Sequence, residues 1–240
     1  MLLSLRAVAA LLSYPDEDLA GATGDMLDVI AADSRLAGAL PGIEALVDHI
    51  AGSDLLDLQE EYVGLFDRTR SLCLNLFEHV HGEGRERGSA MVELNGIYAA
   101  AGLEPRPGEL PDYLPMLIEF AAVEPERGAE LLANAGPVLD LLHGRLLARG
   151  APHAALLHAS LLAAGLRPSA ALPAPEPEET PEALDAAWAE APVVFGPGAD
   201  PAADCGVDVL AAKLRAARRN PNPMPPRRPV IRHVAAASQG

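Results

Sequence analysis

Aromatic side chains make up only 4% of the 240 residues, and no stretch alternates apolar and polar positions as a half-buried strand would. Sheet architectures are thereby disfavoured. Cysteine occurs twice, at Cys73 and Cys205, far apart and without CxxC spacing, so neither a zinc nor an iron–sulfur site can be built from cysteine alone. So few thiols fit a reducing compartment better than a disulfide framework. No run reaches the roughly 18 apolar residues a membrane span needs. Basic residues are few as well, 18 Lys and Arg against 34 acids for a formal net charge of -16, the wrong balance for nucleic acid.

What the chain does have is Ala and Leu at helical spacing. Half of its residues are hydrophobic, enough for one domain with a sizeable core. The opening "MLLSLRAVAALLSYPDED" lacks a basic leader, is interrupted by Arg6, and reads as an amphipathic first helix that Pro15 ends. Asp16 caps a second helix, and Pro41-Gly42 separates the short helices that follow. After Ser53, Leu55, Leu58, Tyr62, Leu65 and Phe66 share one helical face. Ser71 caps a helix carrying Leu72, Leu76, Phe77 and Val80. Ala90 to Ala101 form a longer apolar stripe, closed by Gly102 as a left-handed cap. Asp112 starts a helix with Leu114, Leu117 and Ile118. Residues 126–149 are periodic and are kinked or divided by Pro137, and a last core helix runs between Pro152 and Gly165.

The expected architecture is all-α, a single-domain helical bundle over residues 1–166. A flexible, Pro/Ala/Glu-rich linker follows at 167–180, a C-terminal helical segment at 181–219 packs on or near the bundle, and a basic, disordered tail occupies 220–240. Charge is divided along the chain. Residues 1–60 hold eleven acids against Arg6 and Arg35, whereas from Lys213 onward there are seven basic residues and no acid. Such a division implies a solvated face with a basic tail, or an acidic surface that attracts a basic peptide.

The densest polar cluster is "LFEHVHGEGRERGSAM", residues 76 to 91. His79 and His81 are two apart, about 200° around a helix, and cannot share a metal-ligand face there. His49, His143, His153 and His158 show no HExxH spacing. Ser71 and Ser89 lack a nucleophile elbow, Cys73 reads as a buried thiol, and no phosphate-binding glycine loop occurs. Neither a catalytic nor a metal site is expected. Glu83 and Arg87, at i and i+4, form a supporting ion pair.

The combination "FDRTRSLCLNLFEHVHGEGRERGSAM" with "ELPDYLP" downstream closely resembles the NarJ family, within the wider TorD-like redox-enzyme chaperones. Supporting pieces are "LLSYPDEDL" near the start and "LDAAWAEAPVVFGP" near the end, so the likeness spans roughly residues 5–200. Cys73 and Asn75 fill positions within the motif, and the tail beyond about 220 falls outside the family pattern. The resemblance implies an all-helical cytoplasmic chaperone, not an enzyme, of respiratory nitrate reductase. It implies binding of the N-terminal segment of the catalytic (alpha) subunit and of the apoenzyme. It further implies help with insertion of molybdopterin guanine dinucleotide, dealings with molybdenum cofactor biosynthesis proteins, and no permanently bound cofactor. A TorD-like chaperone for another molybdoenzyme is the alternative, and a metal-dependent helical enzyme a more distant one.

In that frame a basic amphipathic peptide lies in a groove between helices, its charges meeting an acidic rim. Tyr62 and Phe66 supply apolar contacts to it or else pack the core. Asp67 and Arg68 anchor a loop. Glu78, His79, His81, Arg85 and Arg87 form a polar network at the groove's border, with Met91 and Glu119 as further candidates. Asp112, Leu114 and Pro115 set a helix start, Asp112 as its cap.

Overall fold

The computed structural model describes residues 2–68, 70–81, 85–106 and 108–169; the linker, C-terminal helices and tail expected beyond Ser169 lie outside the described residues. Ten α-helices follow one another: α1 (Leu3–Leu11), α2 (Glu17–Ala31), α3 (Leu40–Gly52), α4 (Leu55–Tyr62), α5 (Leu76–His81), α6 (Arg85–Ala100), α7 (Leu114–Val123), α8 (Pro125–Asn134), α9 (Gly136–Ala148) and α10 (Ala154–Ala163). Among the described residues the fold is all-α, with a single isolated β-bridge between Asn75 and Tyr113.

The helices that are apolar all round lie in the middle. α7 and α10 bury nearly every side chain, and α1 packs between them while also meeting α2. α3, α8 and α9 cover α10, and α8 folds back on α7. Gly128 permits that return: a Cβ there would clash with the backbone and Cβ of Ala121. Gly42 sits similarly against α10, its missing Cβ falling 2.8 Å from that of Ala155.

Local signals explain most helix ends. Asp16 accepts from the Leu19 N–H at 2.8 Å and caps α2. At Gly102 φ is 75°, and the Leu103 N–H reaches back to the Tyr98 carbonyl at 2.9 Å, a Schellman closure. Pro137 divides two helices, standing in the first turn of α9. Pro41-Gly42, expected to separate helices, instead opens α3, because proline is accepted in a first turn where its missing N–H costs nothing.

Two other expectations fail for one reason. Ser71 lies inside a 3₁₀ turn, Arg70–Leu72, and caps nothing; the helix begins only at Leu76. Asp112 does not cap its own helix. Its Oδ2 accepts from the Phe77 N–H at 3.0 Å, capping α5 from 35 residues away, while Tyr113 holds the N-cap position of α7 without a side-chain cap bond. Around this cap the chain pairs with itself. The Leu76 N–H donates to the Asp112 carbonyl at 3.1 Å and the Leu114 N–H to the Leu74 carbonyl at 2.9 Å. The Tyr98 hydroxyl donates to the Pro111 carbonyl at 2.8 Å. Residues 73–75 are therefore non-helical, with a bend at Leu74 and a bridge at Asn75.

Against the end of α4, His153 precedes α10 with its ring edge-on to Phe66, centroids 5.5 Å apart, and its Nδ1 4.0 Å from Glu61. Burial pushes its pKa down to about 4, outweighing the attraction of Glu61. A histidine depressed on folding contributes stability that is complete above its unfolded pKa, near 6.5, and is lost as the pH falls towards 4. His79, His143 and His158 shift in the same direction through burial.

Three stability measurements by urea denaturation follow from these contacts. D112A is expected to lose about 1–3 kcal/mol, whereas D112N, which keeps an oxygen for Phe77, stays within about 1 kcal/mol of wild type. G128A should cost about 1–3 kcal/mol, since α7 and α8 must part. Between pH 7.5 and 5, His153 alone accounts for about 2 kcal/mol of lost stability, so H153L should flatten the pH dependence by that amount.

Candidate functional site

Three segments, two of them close in sequence and the third about 25 residues further on, meet beyond the carboxyl end of α4. The first is the end of α4 itself, which runs on through a π-turn, Val63–Asp67, closed by the Arg68 N–H on the Val63 carbonyl at 3.1 Å. Such widened turns concentrate at functional sites in helices. The second is the bent run Cys73–Asn75 with α5. The third is the loop from Arg106 to Tyr113. Tyr62 joins them: its hydroxyl donates to the Leu12 carbonyl at 3.2 Å and lies 2.9 Å from the Tyr113 hydroxyl, which with that proton committed must be the donor.

Most of the apolar candidates face inward. Tyr62 and Phe66 stack at 4.9 Å within the core, and Leu114 and Pro115 are buried, so they pack the body rather than line its surface. Met91 is partly buried against the same core. Asp67 and Arg68 stand exposed at the end of the π-turn. Glu119 turns away, 3.8 Å from Arg6 of α1.

Of the expected polar network, Glu78, His79 and Arg87 fall among the described side chains. Arg87 bonds Glu78 at 3.2 Å, while Glu83, its expected partner, and the side chains of His81 and Arg85 lie outside the described residues. The His79 Nε2–H donates to the Cys73 carbonyl at 2.7 Å, and burial holds the imidazole pKa below its ordinary value. Arg145, from α9, donates to the Ser71 carbonyl at 2.7 Å and adds a neighbouring positive charge that lowers His79 further. His79 thus fastens a loop in its neutral form.

Asp112 is 1% exposed, and its Oδ1 accepts no bond among the described residues. Burial raises its pKa; the Phe77 N–H and the charge of Arg87 pull the other way, and Glu78 reinforces the rise. Because its folded pKa is raised, its contribution improves as the pH falls, opposite in sign to the histidines. Burial also raises Tyr113, with Asp67 and Glu109 adding negative charge close by and the bond to Tyr62 opposing. What is left at the surface is a partly buried phenol that feels Glu109, Asp67 and, in the opposite sense, Arg106, which pairs with Glu109 at 3.8 Å; Tyr14 and Leu110 are exposed at 48% and 42%.

Sequence reasoning missed Tyr113, although it lies in the quoted "PDYLP", because a tyrosine beside a helix start looks like ordinary packing. Tyr14 and Arg145 were missed too, and for Arg145 no local signal exists: its partner carbonyl is 74 residues away. Among the described residues no group of three or more His, Cys, Asp or Glu could hold a metal ion. No described helix is long and apolar enough to cross a membrane. The arrangement offers acceptors, aromatic edges and apolar surface, which suits holding a polypeptide.

The family model described as nitrate reductase delta subunit matches residues 31–175. The chain is 41% identical over 197 residues to the probable nitrate reductase molybdenum cofactor assembly chaperone NarW of Escherichia coli (strain K12), covering 80% of this chain and 83% of that protein. It is 39% identical over 204 residues to the nitrate reductase molybdenum cofactor assembly chaperone NarJ of the same organism, covering 81% and 85%. A probable NarJ of Bacillus subtilis (strain 168) is 29% identical over 136 residues, covering 50% of this chain and 65% of that protein. Matched along most of its own length and theirs, the chain belongs to the nitrate reductase delta subunit family, alongside the NarJ-type chaperones.

Proposed function

We propose that this chain is a cytoplasmic assembly chaperone for a respiratory nitrate reductase and acts by binding rather than catalysis. It receives the N-terminal segment of the catalytic (alpha) subunit and holds the apoenzyme while molybdopterin guanine dinucleotide, delivered with the help of cofactor biosynthesis proteins, enters the client. The cofactor is the client's cargo, not a resident of this chain. One observation carries the reading: relatives named as nitrate reductase molybdenum cofactor assembly chaperones match it over about four fifths of its length.

The site supports a peptide as the thing held. Asp67 and Glu109 put negative charge near the Tyr113 phenol, Glu109 being held by Arg106 at 3.8 Å, and Tyr14 and Leu110 give exposed apolar surface. Carboxylates and aromatic edges together suit a peptide that carries cations among apolar residues. The buried Tyr62, Phe66, Leu114 and Pro115 act one layer down, by fixing the shape of this face. The polar network of Glu78, His79 and Arg87 holds the loop that borders it.

Co-purification with the nitrate reductase catalytic subunit, with and without its N-terminal segment, tests the reading directly: retention only with the segment is expected, and retention without it would move the contact elsewhere. In calorimetry with the segment as a peptide, D67N/E109Q should weaken binding roughly threefold to tenfold, and rising salt should weaken wild type. Because burial lowers the His79 pKa and its Nε2–H is tied to the Cys73 carbonyl, H79Q is expected to leave the response between pH 6 and 8 nearly unchanged. A response that H79Q abolishes would place protonation of His79 in the binding step.

A further inference from the structure

The acids of the first 60 residues do not pair among themselves: ten of the eleven are exposed, and Asp33 is tied to Arg35. One helical face among them is more than a solvated surface. On α4 and its continuation, Leu56, Glu60 and Val63 stand at i, i+4 and i+7, so they share a side. Leu56 is 78% exposed, the most exposed large apolar side chain among the described residues. The Gln59 amide donates to the Pro15 carbonyl at 2.9 Å, which brings the turn bearing Tyr14, Asp16 and Glu17 against the same helix. The face is thus an apolar strip of Leu56, Val63 and Tyr14 rimmed by Asp16, Glu17, Asp57 and Glu60, and at its far end it runs into Asp67 of the peptide site.

We propose that the arginine-rich segment 213–232 of this same chain docks on that face and competes with the client peptide for the adjoining site. The sequence of the segment is the complement of the face. It holds the pairs Arg218-Arg219 and Arg227-Arg228 and then Val230 and Ile231 ahead of Arg232, apolar residues between guanidinium groups. Arginine matches carboxylates bidentately and stacks on tyrosine, so Tyr14 and the acidic rim both serve it. Reach is no obstacle. About 40 residues separate Ser169 from Lys213, and at roughly 3.3 Å each they could span well over the width of the body. Tethering on one chain sets an effective concentration on the order of 1 mM. A segment that binds in trans with a Kd of about 100 μM would then raise the apparent Kd of a competitor about tenfold. The docking stands on the face and the segment alone; the competition rests on the client reading above.

The probe is a fluorescein-labelled peptide of residues 213–233, followed by fluorescence polarisation against two full-length chains, wild type and R218Q/R219Q/R227Q/R228Q. The substituted chain is expected to bind the probe about tenfold more tightly, because its own segment no longer occupies the face. Adding L56S and E60Q to that chain, both at exposed positions, should remove most of the gain. Equal affinity for the two chains, or affinity untouched by L56S/E60Q, overturns the docking. So does capture of the wild-type chain by phosphatidylglycerol vesicles without probe binding, which assigns the arginines to an anionic surface. The client N-terminal peptide as a second probe separates the two readings. Equal binding to both chains overturns the competition and leaves the client reading standing. Failure to bind either chain, with the tail probe still bound, overturns the client reading and leaves the docking.

Discussion

One buried carboxylate organises the candidate site. Asp112 caps α5 across a gap of 35 residues, and the bridge between Asn75 and Tyr113 forms beside it. A buried acid is costly to keep ionised, and this one is retained because it closes backbone that would otherwise be unsatisfied. Without it the N-terminal turn of α5 loses its cap, and the loop ending at Tyr113 loses its seat. The run 73–75 and the loop are joined by that closure, and Tyr62 ties the end of α4 to them through Tyr113.

The helices themselves were largely legible in the residues. Apolar periodicity located α4, α6 and α7, Pro152 and Gly165 bracketed α10, and Asp16, Gly102 and Pro137 marked where other helices begin or end. These signals are local: each depends on a few neighbouring residues and the geometry of a turn. The errors share a different origin. Pro41 is compatible with a break or with a first turn, and it stands in the first turn of α3. Asp112 before an apolar run looks like the cap of that run. Nothing within its own neighbourhood says that Phe77 needs it more.

The site was legible as a neighbourhood and not as a surface. The motif segments around Phe66, His79 and Tyr113 do come together, through Tyr62 and Asp112. Which side chains face outward could not be read, because amphipathicity marks a buried stripe but not the edge where two buried stripes meet. Tyr62 and Phe66 fell to the core, while the outward positions went to Asp67, Glu109 and Tyr14, residues that periodicity treats as incidental. Histidines in a polar cluster suggest titration or ligation; here burial keeps His79 neutral and makes it a fastener.

The Tyr62 hydroxyl has one further consequence. It sits between a carbonyl of the α1 end and a phenol of the loop, in a residue only 5% exposed. A proton held in that way exchanges with water only when the segments around it part. Its exchange rate is therefore a clock for the opening of this one joint, built into the molecule and readable without any label.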